Sequence, residues 1–431
     1  MEDDQLRVRI AILGAGTVGS QVARLLIEQK DDLAQRIGAI PEIIGIAVLD
    51  PDEARNDDLP RSLLTSDIGE LVVQADIIVE LMGGIEPART VLLRALSGGK
   101  SVVTANKALL AAHGPEIYEA ADAAGADLYF EAAVAGAIPL VRPVRESLAG
   151  DRVKKILGIV NGTTNYVLDQ MTTRHLAYDV ALKEAQELGY AEADPTADVE
   201  GYDAAAKAAI LASLAFHMRV RLEDVYREGI SEITPFDVDA AAESGHVIKL
   251  LAIAERTEEG VCVRVHPSLV PLAHPLANVH GAFNAVFIEA EAAGELMFYG
   301  QGAGGVPTAS AVLGDIVSVA RHLALGGKGP RESNYMDVPV LPISATRTRY
   351  QMRLEVKDEP GVLAKVATLF GTCKVSIESV RQPPRPVPSA LVQLIIGTHE
   401  ATEAALQATV EAIRGCDAVN AVLSVLRIEG E

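Results

Sequence analysis

Apolar positions alternate between two rhythms over the first 135 residues. Short, mostly apolar runs at 8–13, 43–49, 77–81, 101–104 and 128–130 have the length of buried strands. Stretches with helical spacing lie between them, at 21–35, 87–96 and 115–124. Pro87 and Pro115 suit helix starts, and Gly98, Gly99 and Gly125 suit helix ends. Strands alternating with helices predict a parallel sheet covered on both faces, an α/β fold whose ligands lie at the carboxyl ends of its strands. From 136 to 307 short strands mix with helices, as expected of an α+β domain. A strand at 156–160 runs into the turn Asn161–Asn165 and a helix. A helix over 308–325 is expected to return to the first domain. Residues 326–347, which include GGKGP and VPVLPIS, read as a linker with few contacts. From 348 to 431 the order is strand, helix, strand, strand, helix, strand: 350–356, 362–369, 375–380, 390–397, 401–413 and 419–428. That is the ferredoxin-like βαββαβ pattern.

Composition narrows the function classes. A hydrophobic share of 49% in 431 residues is that of a folded, multidomain protein. The net charge of −21 argues against nucleic-acid binding, which needs clustered Lys and Arg. No apolar stretch is long enough to span a membrane, and the start MEDDQLRVR lacks the apolar run of a signal peptide. The three cysteines, Cys262, Cys373 and Cys416, form no CxxC. A cytoplasmic protein without disulfides is expected.

Candidate chemistry begins at Gly14, Gly16 and Gly19. They stand at GxGxxG spacing between a strand and a helix, the pattern of a Rossmann dinucleotide site. Asp50, after the second strand, would bond a ribose 2′-hydroxyl and favour NAD; the nearby Arg55 would accept the 2′-phosphate of NADP. In the window GYAEADPTADVEGYDAAAK, Asp203 and Lys207 are four apart on one helical face, in line with apolar Ile210 and Leu214. The pair is either an ordinary surface ion pair or a half-buried functional one. Gly300, Gly302, Gly304 and Gly305 would form a second glycine loop, close to a ligand or simply on the surface. No GxxxxGK[ST] loop is present, so a fused kinase is not expected.

These residues, with ILGAGTVG, VVTANKALL, LYFEAAVAGAIP, GIVNGTTNYVL and YGQGAGGVPTASAV, resemble the homoserine dehydrogenase family over essentially the whole chain. LEVKDEPGVLAKVATLF resembles the start of an ACT domain, a small amino-acid-sensing module. The resemblance implies reversible reduction of aspartate semialdehyde to homoserine with NAD or NADP. It implies Lys207 as proton donor and Glu192, Asp203 and Lys107 as substrate ligands. Gly14, Gly16, Thr17, Val18, Gly19, Asp50, Thr104, Lys107, Gly189 and Gly304 would bind cofactor. Glu131, Val134, Gly136 and Ile138 would hold Na+ or K+ through one carboxylate and backbone carbonyls. A homodimer or homotetramer is implied, with threonine as effector near Gly361. A chain ending near Ser344 is then expected to stay active and lose threonine sensitivity.

Overall fold

The structure is a computed structural model that describes residues 6–52, 59–330, 335–383 and 390–430. The chain forms two compact units, 1–154 with 206–223 and 284–337, and 155–205 with 224–283 and 338–431. These bounds cut across the segments expected from sequence.

The first unit opens with β1 (Arg7–Leu13) and α1 (Thr17–Glu28). The single helix expected over 21–35 is two: Gln29 leaves helical geometry, and α2 (Lys30–Ile37) follows. β2 (Ile40–Ala47) stops before Leu49, which is 94% exposed. Next come β3 (Leu64–Thr65), α3 (Ile68–Gln74), β4 (Ile77–Glu80), α4 (Ala88–Ser97) and β5 (Ser101–Thr104). α5 (Lys107–Ala124) and β6 (Leu128–Tyr129) complete the series.

Pro115 does not start a helix; it lies inside α5, which begins at an Asn106 cap accepting from Leu109 N at 3.1 Å. Proline in a helix interior costs about 3 kcal/mol. Leu109, Leu110, Ile117 and Tyr118 are buried on this helix, and each such side chain recovers roughly 1.5–3 kcal/mol. The six strands are parallel in the order β3-β2-β1-β4-β5-β6, so the order reverses between β1 and β4.

β7 (Val153–Ile159) leads to α6 (Gly162–Arg174), α7 (Tyr178–Glu187), α8 (Thr196–Val199) and α9 (Tyr202–Phe216). β8 (Tyr226–Arg227) and α10 (Pro235–Glu243) precede the long antiparallel pair β9 (His246–Arg256) and β10 (Val261–Pro271). β11 (Phe283–Ala290) and β12 (Gly294–Gln301) follow. Gly300 therefore sits in a strand and not in a glycine loop. α11 (Gly305–Ala324) packs on α1 and α2, burying Ala309, Val312, Ile316 and Val319 in the first unit's core.

The C-terminal segment runs β13 (Arg347–Lys357), α12 (Val362–Thr372), β14 (Ile377–Arg381), β15 (Leu391–Thr398), β16 (Ala401–Thr402), α13 (Glu403–Arg414) and β17 (Val419–Ile428). Tyr350, Met352, Leu354, Phe370, Leu406 and Ile413 form its core. Its sheet continues that of the second unit in the order β7-β9-β10-β17-β13-β15-β14. The join is parallel, Ser268 opposite Arg427 and Leu269 opposite Ile428. The stretch expected to make few contacts is tied down as well. Val261 N donates to Pro339 O at 3.0 Å, and Leu341 N donates to Val261 O at 2.7 Å. Proline is tolerated there because only its carbonyl enters the pairing. Among the described residues, no helix is long and apolar enough to cross a membrane.

Candidate active site

The glycine loop after β1 has a separate physical demand at each glycine. Gly14 has φ +106, and a Cβ there would lie 2.8 Å from Leu81 O. A Cβ on Gly19 would lie 1.9 Å from Gly14 O, so α1 packs on the turn only with glycine there. Around Gly16 a Cβ would meet nothing within 4 Å. No side chain caps α1, whose first turn contains Thr17 and Val18. Free helix-start N–H groups beneath open space suit a pyrophosphate, and a dinucleotide fits these residues. Gly304 has φ +119 and caps α11 without a side chain. Gly305 is pressed on α1, since its Cβ would lie 2.9 Å from Thr17 O.

Asp50 is exposed beyond the end of β2, and its Oδ1 accepts from Asp52 N at 2.9 Å. Arg55 lies outside the described residues. Gly189, with φ +77, belongs to the second unit, whereas Gly14, Gly16 and Gly19 belong to the first.

The carboxyl ends of β4 and β5 are joined by Glu80, which sequence reasoning missed. It is 0% exposed. Its Oε1 accepts from Met82 N at 2.9 Å and Gly83 N at 3.2 Å, and its Oε2 accepts from Thr104 Oγ1 at 2.6 Å. Thr104 Oγ1 in turn accepts from Asn106 N at 3.0 Å, and Asn106 Nδ2 donates to Gly84 O at 2.6 Å. The Thr104 hydroxyl is thus committed inside the protein. Lys107 is exposed at the first position of α5. The only sequence signal for Glu80 was a charged residue closing an apolar strand.

In the second unit, Asn161 caps α6 with its Oδ1, which accepts from Thr164 N at 2.9 Å. Its Nδ2 donates to Asp198 Oδ1 at 2.7 Å and to Asp203 Oδ2 at 2.9 Å. One amide therefore brings two carboxylates together. Asp198 was overlooked because nothing in the spacing separates it from a helix-surface residue. Asp203 and Lys207 are each 8% exposed, and Ile210 and Leu214 further along α9 are buried. Both side chains are buried and not on a solvated helix surface. Glu192 is exposed, and Asp194 is turned onto Thr196, accepting from its N at 3.1 Å and Oγ1 at 2.6 Å.

The Glu131 carboxylate is engaged differently from a cation ligand. Oε1 accepts from Leu140 N at 2.5 Å and Val141 N at 2.6 Å; Oε2 accepts from Arg142 N and Nε, both at 3.0 Å. Four N–H donors use the four acceptor positions of a carboxylate, so this side chain has no oxygen to spare for an alkali ion. The carbonyls of Val134, Gly136 and Ile138 accept no hydrogen bond from the described residues. A cation would fit only among backbone oxygens. Beside this cradle, Asp315 is 0% exposed and accepts from Glu131 N at 2.8 Å. Burial, and then the charge of Glu131, push its carboxyl up to about 7. Among the described residues, no group of three or more His, Cys, Asp or Glu is arranged to hold a metal ion. Gly361 caps α12 at φ +90, with nothing within 4 Å of an added Cβ.

Two protein-family profiles match the chain. The homoserine dehydrogenase profile covers residues 139–317, and the profile of that family's NAD-binding domain covers residues 14–131. A homoserine dehydrogenase of Corynebacterium glutamicum is 54% identical over 98% of this chain and 96% of its own length. The crystal structure of a homoserine dehydrogenase from Thiobacillus denitrificans is 41% identical, with a TM-score of 0.93 over 99% of both chains. A hyperthermophilic archaeal homoserine dehydrogenase in complex with NADPH is 28% identical, with a TM-score of 0.63 over 76% of this chain and all of that one.

Proposed function

We propose roles for individual residues in a chain that belongs to the homoserine dehydrogenase family and is an NAD(P)-dependent oxidoreductase acting on a CH–OH group. The reaction is the reversible reduction of L-aspartate 4-semialdehyde to L-homoserine. The reduced nicotinamide supplies a hydride to the aldehyde carbon. Lys207 donates the proton that the forming alkoxide takes, and its ammonium offsets the developing negative charge. Burial of Lys207 strengthens that electrostatic effect. Asp203 and Asp198 bind the substrate's ammonium or hydroxyl, with Asn161 holding the two carboxylates in register. Glu192 and Lys107 are further substrate ligands, and Lys107 also serves the cofactor. Gly14, Gly16, Thr17, Val18, Gly19 and Gly304 line the nucleotide, together with Thr104 through its backbone, Asp50 and Gly189. The carbonyls of Glu131, Val134, Gly136 and Ile138 hold Na+ or K+.

The observation that carries this reading is the Asn161 bridge between Asp198 and Asp203 at the head of the buried helix that continues to Lys207. Lys207→Ala should lower kcat by about 10²-fold or more while NADPH still binds; near-normal turnover in the folded variant sinks the assignment. Asp203→Asn should raise KM for homoserine and not for the nucleotide. Asp50 favours NAD; a higher kcat/KM with NADPH than with NADH would reverse that part.

The βαββαβ segment is proposed as a ferredoxin-like ACT module with threonine as effector. Gly361 leaves open space above a helix start, where a carboxylate can meet N–H groups. Gly361→Asp should blunt inhibition by threonine, and a wild type indifferent to millimolar threonine, with no heat of binding, would overturn the regulatory role. The chain is cytoplasmic and assembles as a homodimer or homotetramer in this reading. Exposed Met297 and Tyr299 on β12 offer apolar surface to a second copy, which sedimentation would test.

A further inference from the structure

The segment after β8 grips the backbone that leads into the substrate window. Ile230 N donates to Val199 O at 2.8 Å. The Arg227 guanidinium donates to Glu200 O and lies 3.5 Å over the Tyr202 ring. The Ser231 hydroxyl donates to the Glu200 carboxylate. Contact is close enough that a Cβ on Gly229 would lie 2.6 Å from both Val199 O and Glu200 Oε2. Gly201, at φ +77, is packed against Arg227 and Val265. Residues 199–202 are therefore held on their flank by 227–231, immediately before Asp203.

This clamp is anchored from the C-terminal segment. Glu228 N donates to Val265 O at 2.8 Å, which fixes its backbone on β10. Its carboxylate accepts from Tyr226 Oη on one oxygen and from Arg427 Nη1 at 2.9 Å on the other. Arg427 lies on β17 with its side chain 6% exposed, and it is held by Glu403, whose side chain is 0% exposed and also accepts from Tyr350 Oη. The guanidinium keeps the carboxyl of the half-buried Glu228 below its usual range, against the opposing effect of desolvation. A buried Arg gripping one carboxylate of its own segment presents its remaining N–H groups in a fixed direction.

We propose that Arg427 and Glu228 are positioning residues: through the 227–231 clamp, the C-terminal strand sets the placement of Asp198 and Asp203, and hence the affinity for the amino-acid substrate. The inference rests on the reading of that window as the substrate site. Neither residue touches substrate; each acts through Val199 and Glu200. Any change in the C-terminal segment that shifts β17 is then felt as a change in homoserine affinity, with nucleotide affinity left alone.

The test uses the full chain and three variants. Glu228→Gln keeps the side chain's shape and leaves Arg427 paired with Glu403. Gly229→Ala crowds Val199 and Glu200 without altering charge. Asp203→Asn reports on the window itself. Glu228→Gln and Gly229→Ala should each raise KM for homoserine about fivefold or more. Neither should move the Kd for NADPH, read from the nucleotide's own fluorescence because the chain has no tryptophan. An unchanged homoserine KM in both, with a raised one in Asp203→Asn, overturns the clamp alone, whatever happens to the melting temperature. An unchanged KM in Asp203→Asn overturns the window reading instead. Parallel losses of homoserine and NADPH affinity in Glu228→Gln also overturn the proposal, because they would mean general loosening.

Discussion

At the scale of single residues, the buried carboxylates divide by what surrounds them. Glu80 is satisfied by two backbone N–H groups and a hydroxyl. Glu80→Ala would leave the buried Thr104 hydroxyl without its acceptor, at about 1–3 kcal/mol, and would release the part-buried N–H groups of Met82 and Gly83. The variant should melt earlier and show a raised KM for the nucleotide more than for homoserine, with Glu80→Gln recovering part of both; steady-state kinetics and calorimetry decide it. Asp315 is the opposite case, raised from 3.8 to about 7 by burial and by Glu131. The folded chain holds this proton more tightly than the unfolded chain does. The group's stabilising contribution is full below about pH 4 and is lost as pH rises through about 7. Asp315→Asn should therefore gain melting temperature relative to the wild type between about pH 5 and 8. A difference that does not vary with pH would reject that assignment.

At the scale of elements, the glycine turn allows two changes to be separated. Gly16→Ala meets nothing and keeps an accessible backbone, φ −71, so the apo protein should melt as the wild type does. NADPH affinity should fall about tenfold or more, because the methyl occupies ligand space. Gly19→Ala puts a carbon 1.9 Å from Gly14 O and must push α1 off the turn. It should lower both melting temperature and nucleotide binding. Equal melting behaviour of the two variants would contradict the geometry. The strand at 101–104 and the turn into α6 were legible because apolar runs and an Asn cap act locally. The start of α5 was not: a helix that continues through Pro115 is decided by what its far face buries.

At the scale of the molecule, the C-terminal segment is part of the second unit's sheet. Arg264 is 0% exposed and donates to Glu429 Oε1 at 2.7 Å. Arg353 Nη2 donates to Asp237 Oδ1 at 3.0 Å. Removing one partner of a buried pair costs about 3–5 kcal/mol, against a total stability of roughly 5–15 kcal/mol. A chain ending near Ser344 would strip partners from Arg264, Asp237 and Glu228 and expose the edge of β10. That reverses the expectation of an active, merely desensitised enzyme. The truncated chain should be poorly soluble and should melt well below the full one; a soluble truncation with wild-type homoserine KM would refute this.

By itself the sequence determined the local alphabet: the strand–glycine–helix turn, the order of the C-terminal elements apart from the two-residue β16 that takes the start of the helix expected over 401–413, the Asp203–Lys207 register and the family to which the motifs point. Each depends on neighbours within one or two turns, where periodicity and backbone sterics suffice. Tertiary structure alone decided which oxygens are free. Glu131 is consumed by N–H donors from residues 140–142, Thr104 by Glu80, and the Asp198 and Asp203 carboxylates are paired by an amide some forty residues away. It also decided that β17 lies beside β10. Hydrogen-bond capacity is shared out among groups distant in the chain, and no pattern along the chain records that division.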